Sequence, residues 1–150
     1  MNALNPGAIN TLRIVTVSGK EGPAVLSSVL RVGSKRTGSV DNWAAGGLSV
    51  GVESDGRLKP WGYYKPGLGT KADRHPDTGI VFSDFIVPKY HEAAALCIRA
   101  HRLLDGIHSI GWDVALTADG PCLIEGNDNW EITLMQACDR PLKKDWEESL

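Results

Sequence analysis

The residues best suited to chemistry lie on two strand-like runs that flank Ala118-Asp119-Gly120. Asp113 lies on the first run, and Glu125 and Asn127 lie on the second. If the triplet is a three-residue loop with Gly120 in the left-handed conformation, the register pairs Asp113 directly with Glu125. Asn127 shares their face because side chains alternate along a strand. Carboxylates opposed at about 5 Å repel each other unless a cation lies between them, so this oxygen set is typical of a Mg²⁺ site.

The register of this hairpin decides whether such a site can form. A two-residue Asp119-Gly120 turn is also compatible with the sequence. That turn would place Asp113 and Glu125 on opposite faces, because a shift of one residue inverts every side chain of a strand. The alternative interpretation is therefore a solvated hairpin that carries scattered acids.

Arg13 is a candidate anion ligand on another apolar strand. In the segment NTLRIVTV, residues 10–17, both faces of the strand carry aliphatic side chains. Arg13 is therefore expected to be partly buried and to need an anionic partner, since an unpaired buried charge is costly. Phosphate or a developing acyl phosphate would suit the bidentate guanidinium. The alternative is an edge strand from which Arg13 extends to solvent.

Weaker signals mark positions that could contact a substrate. Asn42 offers amide donors and a carbonyl acceptor, and Gly46-Gly47 permits close approach of a ligand to the backbone, although a simple turn explains the glycines too. His75 lies in RHPDTG, where a turn is again the plain alternative. Residues 65–70 lack the GxxxxGK[ST] pattern and the strand-then-helix context of a phosphate loop.

The remaining elements indicate how these residues are positioned. Apolar runs with short connections predict antiparallel strands over 11–18, 24–33 and 46–54. Residues 57–84 combine prolines and glycines without sustained periodicity, which predicts a long functional or covering loop.

Two helices are predicted around the hairpin. Helical spacing follows Pro88 as far as about Asp105. After the hairpin, Asp128 as N-cap and Glu131 at N3 form a capping-box pattern. Residues 143–150 are polar and expected to fray. Together these elements predict an α+β fold, a two-layer unit with an antiparallel sheet and helices on one face.

The composition excludes several classes of protein. The chain has 150 residues, enough for one domain or one lobe of a larger unit, and a formal net charge of −2. That charge gives no reason to expect nucleic acid or anionic membranes as partners. No apolar run approaches a membrane span, and the N-terminus has no signal-peptide pattern. Cys97, Cys122 and Cys138 lack CxxC spacing and are expected to fill the core of a cytoplasmic protein.

Taken together, these segments resemble the ATP-grasp superfamily, and within it the sugar-transfer-associated, α-L-glutamate ligase-like group. The resemblance covers about residues 5–137, nearly the whole chain. Its most specific motif is an Asp followed by Glu-x-Asn across a hairpin. The matching segments, in order, are NTLRIVT (10–16), VDNW (40–43) with Gly46-Gly47, RHPDTG (74–79), IGWD (110–113) and LIEGN (123–127).

The resemblance implies a role for each candidate residue. Asp113, Glu125 and Asn127 would hold Mg²⁺, or Mn²⁺, between the phosphates of ATP. Arg13 would contact the γ-phosphate and the acyl-phosphate intermediate. Enzymes of this superfamily phosphorylate a small-molecule carboxylate, and an amine or another nucleophile then displaces the phosphate. The substrate side would be formed by Asn42, Gly46, Gly47 and His75.

The chain resembles only the C-terminal lobe of such an enzyme. The N-terminal lobe, with its adenine-clamping strand, lysines and glycine-rich flap, is absent from residues 1–150. We therefore expect a fragment that is inactive alone, or a chain that works with another polypeptide. One alternative is a non-catalytic binding or scaffold module, whose uncovered apolar surface would self-associate or dock a partner. Another is phosphoryl transfer to a hydroxyl on the same fold.

Overall fold

A single antiparallel sheet organises the part of the chain that the computed structural model describes, which is Leu4 and residues 10–34 and 46–150. Its strands are β1 (Thr11–Gly19), β2 (Gly22–Val32), β3 (Leu48–Val52), β4 (Leu58–Tyr64), β5 (Lys71–Ala72), β6 (Ser109–Thr117) and β7 (Gly120–Asn127). They lie in the order β5-β4-β3-β2-β1-β6-β7. The helices are α1 (Tyr90–His101), α2 (Ile132–Cys138) and α3 (Lys143–Ser149). The predicted α+β class and the antiparallel sheet are confirmed.

Helices cover both faces of this sheet. Ile14 of β1 belongs to an apolar cluster that contains Ala93 and Cys97 of α1. The next residue, Val15, belongs to a second cluster with Leu134 and Met135 of α2. Because successive side chains of a strand point to opposite faces, α1 and α2 lie on opposite sides. The sequence-based prediction placed the helices on one face, so the structure differs from it in this respect.

The second helical layer was hard to read from the sequence because it is short and polar. Residues 143–150, expected to fray, contain α3, which is held by the half-buried Trp146 against Trp130, with ring centroids 6.0 Å apart. The predicted capping box is wrong, because α2 begins after Glu131, which is in an extended conformation without a side-chain cap. Packing against the sheet, rather than capping, therefore fixes this helix.

The segment predicted as a long loop over 57–84 contains β4 and β5. Pro60 disguised the strand, since proline lacks the N–H that a sheet ladder uses. In the structure Pro60 lies where the β3–β4 register shifts, between the pair Val52 and Leu58 and the pair Val50 and Gly62. The missing donor therefore falls at an irregularity of the ladder, where it is tolerated.

The cysteines differ in burial. Cys97 and Cys138 are buried, as expected, and burial raises the pKa of each thiol to about 12. Cys122 is exposed on β7, an outer strand of the sheet, so its predicted role in the core is wrong.

A buried carboxylate fastens α2 and α3 to the sheet. The side chain of Asp139, in the segment between these helices, is only 4% exposed. Its oxygens accept hydrogen bonds from Ser27 Oγ of β2 (2.7 Å), Lys59 Nζ of β4 (2.7 Å) and Arg140 Nη1 (2.5 Å). One carboxylate therefore ties two strands to the junction between two helices.

Replacing Asp139 by Asn should lower the free energy of unfolding by about 3 kcal/mol, because Lys59 and Arg140 would lose the buried carboxylate that they share. Urea denaturation at neutral pH measures this. Asp73→Asn is the matched control, since Asp73 pairs with Arg74 at 3.1 Å on the surface, where ion pairs contribute little. An equal effect of the two substitutions would contradict a fastening role for Asp139.

Candidate functional site

The β6–β7 hairpin pairs Asp113 with Glu125 by a route different from the predicted one. Its turn has two residues, since Thr117 pairs with Gly120, whose φ is 134°. The expected three-residue loop is therefore wrong. A register shift follows at Ile124, which leaves Asp113 paired with Glu125. The bulge adds one residue to β7 and so restores the register that a two-residue turn alone would have destroyed. The predicted pairing is confirmed.

Asp113 is bound by two arginines from neighbouring strands. Arg13 pairs with Asp113 in the β1–β6 ladder, and its Nε donates to Asp113 Oδ1. Arg31 of β2 donates from Nη2 to the other oxygen, Oδ2, at 2.7 Å. Asp113 is 5% exposed and Arg13 is 9% exposed. Arg13 is therefore buried with an anionic partner, as its strand predicted, and that partner belongs to the chain itself.

Arg31 is a further residue of the site, and it was not among the residues predicted from the sequence. It pairs with Thr11 across the β1–β2 ladder and donates to Thr11 Oγ1 from Nε (3.0 Å) and Nη2 (2.8 Å). To predict that Arg31 lies beside Asp113, one must know the register between β1 and β2. That register shifts next to Val15, and no sequence pattern predicts the shift. The sequence does contain one usable signal, an arginine inside the apolar run VLRV, residues 29–32. The same kind of signal identified Arg13.

The two arginines determine the charge of Asp113. Burial is the largest single influence and raises the pKa of this carboxyl. The hydrogen bond from Arg13, the charges of both guanidinium groups and the hydrogen bond from Arg31 together outweigh burial. The pKa of Asp113 is therefore lowered from its ordinary value, and the carboxylate is ionised at neutral pH.

Glu125 and Asn127 form the exposed side of the site. Asn127 Nδ2 donates to Glu125 Oε1 at 3.1 Å. Asn127 pairs with Gly111, where an added Cβ would lie only 2.5 Å from Cβ of Trp130. Trp130 thus packs on the backbone beside Asn127, and its Nε1 donates to Ser109 Oγ at 3.0 Å. Glycine at position 111 is what makes room for this indole.

The donor set suits Mg²⁺ in one respect and not in another. Two carboxylates and one amide oxygen are hard ligands, and Mg²⁺ commonly takes one or two protein carboxylates and completes its shell with water and phosphate. However, both oxygens of Asp113 are engaged by arginine. Across the described residues, no three His, Cys, Asp or Glu side chains gather into a group that could hold a metal. The oxygen donors of the hairpin therefore match the ligand preference of Mg²⁺, while both oxygens of Asp113 already take part in ion pairs.

An apolar cleft of about 380 Å³ opens beside the hairpin and was not predicted. Because Trp130 forms one wall and also packs on Gly111, the cleft adjoins the position of Asn127. The other apolar walls are Ile132, Leu142 and Trp146.

The predicted substrate contacts have different outcomes. Asn42 lies outside the described residues. Gly46 has a φ of 97°, and Gly47 is buried directly before β3. His75 is fully buried, and both of its ring nitrogens are engaged within the chain. Both ring nitrogens therefore serve contacts within the chain, and a contact of His75 with a substrate stays a prediction.

The ring of His75 joins a turn to the end of β2. Its Nε2 donates to the carbonyl of Gly33 at 3.0 Å, while Nδ1 accepts from the amides of Asp77 and Thr78, each at 3.2 Å. This pattern assigns the proton to Nε2, since backbone amides only donate.

Comparison with known proteins gives one match. The family model described as sugar-transfer associated ATP-grasp matches residues 1–145. No curated protein and no solved structure matches the chain. Among the described residues, no helix has the length and apolar character needed to cross a membrane.

Asp113→Asn should remove a stabilisation that depends on pH. A lowered folded-state pKa stabilises the protein above the ordinary carboxyl pKa of about 3.9, and this contribution is lost as pH falls through the folded value. The difference in free energy of unfolding between wild type and Asp113→Asn should therefore be largest at neutral pH and shrink below about pH 4. Urea denaturation at several pH values measures it, and a difference independent of pH would contradict the ion pair.

Proposed function

The chain belongs to the sugar-transfer associated ATP-grasp family, and we propose that it forms the metal- and phosphate-binding half of an ATP-dependent carboxylate ligase. The observation that carries this proposal is the pairing of Asp113 with Glu125 beside the buried Arg13. Paired carboxylates next to a guanidinium suit a cation and a phosphate bound side by side.

Each residue of the hairpin has a distinct part in the proposal. Asp113, Glu125 and Asn127 would hold Mg²⁺, for which Mn²⁺ could substitute, and the ion would supply charge neutralisation between the phosphates of ATP. Arg13 spends only Nε on Asp113. Its two terminal nitrogens have no hydrogen-bond partner among the described residues, which leaves a guanidinium edge for phosphate oxygens.

In the proposed reaction this chain positions the phosphates and compensates their negative charge. A carboxylate oxygen of the substrate attacks the γ-phosphorus of ATP, the bond to ADP breaks, and an acyl phosphate forms. An amine or another nucleophile then attacks the acyl carbon, and phosphate leaves as the nucleophile loses its proton. Arg13 would stabilise the negative charge on the transferred phosphoryl group in both steps.

Substrate contacts in the proposal come from the backbone before β3 and from Asn42. Gly46, at a φ of 97°, and the buried Gly47 leave the backbone free of side chains at this point. A second α+β lobe would close over the nucleotide and supply the adenine contacts. We therefore expect residues 1–150 to bind nucleotide weakly and not to turn it over alone.

One observation favours a second candidate function, that of a non-catalytic binding or scaffold module. Both oxygens of Asp113 are already satisfied by Arg13 and Arg31, as in a purely structural ion pair. In that case Asp113 would stabilise the sheet and the chain would have no affinity for nucleotide. A discrete oligomer in analytical ultracentrifugation, without nucleotide binding, would favour this function.

Glu125→Gln should weaken the binding of Mg²⁺-ADP at least about tenfold, the usual effect of disturbing a metal site. Glu125 is exposed, so its replacement tests binding without disturbing the core. Isothermal titration of Mg²⁺-ADP into the chain measures the affinity, and Asp113→Asn should lower it as well.

Glu92→Gln is the matched control, because Glu92 is exposed on α1, on the opposite face of the sheet, and its loss changes the net charge equally. Unchanged affinity in both Asp113→Asn and Glu125→Gln would rule out the hairpin as the metal site. No binding by the folded wild-type chain would favour the non-catalytic module.

A further inference from the structure

We propose that Arg31 is a positioning residue that keeps a divalent cation away from Asp113 until phosphate is present. Arg31 would thereby couple the binding of metal to the binding of nucleotide. It has this role only if the hairpin binds metal and nucleotide as proposed above.

The contacts of Asp113 support this role. Its Oδ2 accepts from Arg31 Nη2 at 2.7 Å, and its Oδ1 accepts from Arg13 Nε. The Asp113 side chain is 7% exposed and that of Arg31 is 15% exposed, so water screens their attraction poorly. A cation that uses Asp113 as a ligand would lie against two guanidinium groups, and their positive charges repel it unless one of them moves away.

Metal alone is a poor replacement for Arg31. If a metal ion took the place of Arg31, the half-buried guanidinium would lose its carboxylate partner and would lie next to a second positive charge. An uncompensated buried charge is strongly destabilising. Phosphate removes this penalty, because a guanidinium that leaves Asp113 would find phosphate oxygens of matching geometry. Metal and phosphate should therefore bind together more tightly than either binds alone.

Arg31 is better placed than Arg13 to make this exchange. Arg13 is the direct ladder partner of Asp113 and contacts it through Nε, close to its own backbone. Arg31 reaches across β1 with a terminal nitrogen, and its Nε is separately anchored on Thr11 at 3.0 Å. Arg31 can therefore release Asp113 and keep its hydrogen bond to Thr11, which limits the movement to the end of the side chain.

The test compares Mn²⁺ binding with and without ADP by electron paramagnetic resonance. In wild type, ADP should tighten Mn²⁺ binding by about tenfold or more, within the usual range of coupling between sites. In Arg31→Met, Mn²⁺ alone should bind at least about fivefold tighter than in wild type, and the gain from ADP should shrink. A merely structural role for Arg31 would instead weaken Mn²⁺ binding under both conditions.

Two further variants make the result specific. Arg57→Met removes the same charge from an exposed turn between β3 and β4, and it should bind Mn²⁺ as wild type does. Arg31→Lys keeps the charge but cannot contact Thr11 and Asp113 with one rigid fork. Its affinity for Mn²⁺ alone should lie between those of wild type and Arg31→Met, and it carries the test if Arg31→Met does not fold.

The outcomes separate the two proposals. If Arg31→Met and Arg31→Lys bind Mn²⁺ alone no tighter than wild type, while Glu125→Gln still lowers the affinity for Mn²⁺-ADP, the role of Arg31 is refuted and the metal site stands. If Glu125→Gln changes the affinity for Mn²⁺ neither with ADP nor without it, the proposed function fails, and the role of Arg31 fails with it. Glu125→Gln added to Arg31→Met should abolish the tighter binding.

Discussion

The structure depends on the burial of one carboxylate, Asp113, on β6 beside the outer strand β7. A buried charge must be matched, and here β1 and β2 each supply an arginine to it. Two guanidinium groups against one carboxylate leave an excess of positive charge. Glu125, opposite Asp113 on the exposed strand β7, lies where it can balance that excess. Along the order β2-β1-β6-β7, two strands that carry an arginine are thus followed by two strands that carry an acid, and this arrangement matches the buried charge of Asp113.

Single-residue irregularities in the ladders determine which side chains meet. Without the bulge at Ile124, the two-residue turn would place Glu125 on the opposite face from Asp113. A second register shift, next to Val15, accompanies the pairing of Thr11 with Arg31. Bulges re-aim side chains at the cost of a local loss of pairing, and they are common near functional sites. Both irregularities here lie within a few residues of the same carboxylate.

How much the sequence reveals depends on whether a feature is local. The burial of Arg13 follows from its own strand, and the pairing of Asp113 with Glu125 was predicted although the turn and the bulge that produce it were not. Arg31 depends on a ladder register set elsewhere, so its local pattern was insufficient. Pro60 hid β4 because it occupies a ladder irregularity, and α3 exists through the packing of Trp146, which no periodicity of a seven-residue helix reveals.

Two buried carboxylates of the structure, Asp139 and Asp113, pair with arginines. They differ in how many nitrogens of those arginines remain without a hydrogen-bond acceptor. Both share a face of the sheet, since Val29 and Gly51 continue the row from Arg13 towards Lys59. At Asp139, Arg140 spends every nitrogen on acceptors of the chain. At Asp113, among the described residues, Arg13 uses only Nε, and Arg31 leaves Nη1 unbound. An arginine whose nitrogens all donate within the chain only stabilises the structure. An arginine with unused N–H groups beside an exposed acid can also donate hydrogen bonds to a bound anion.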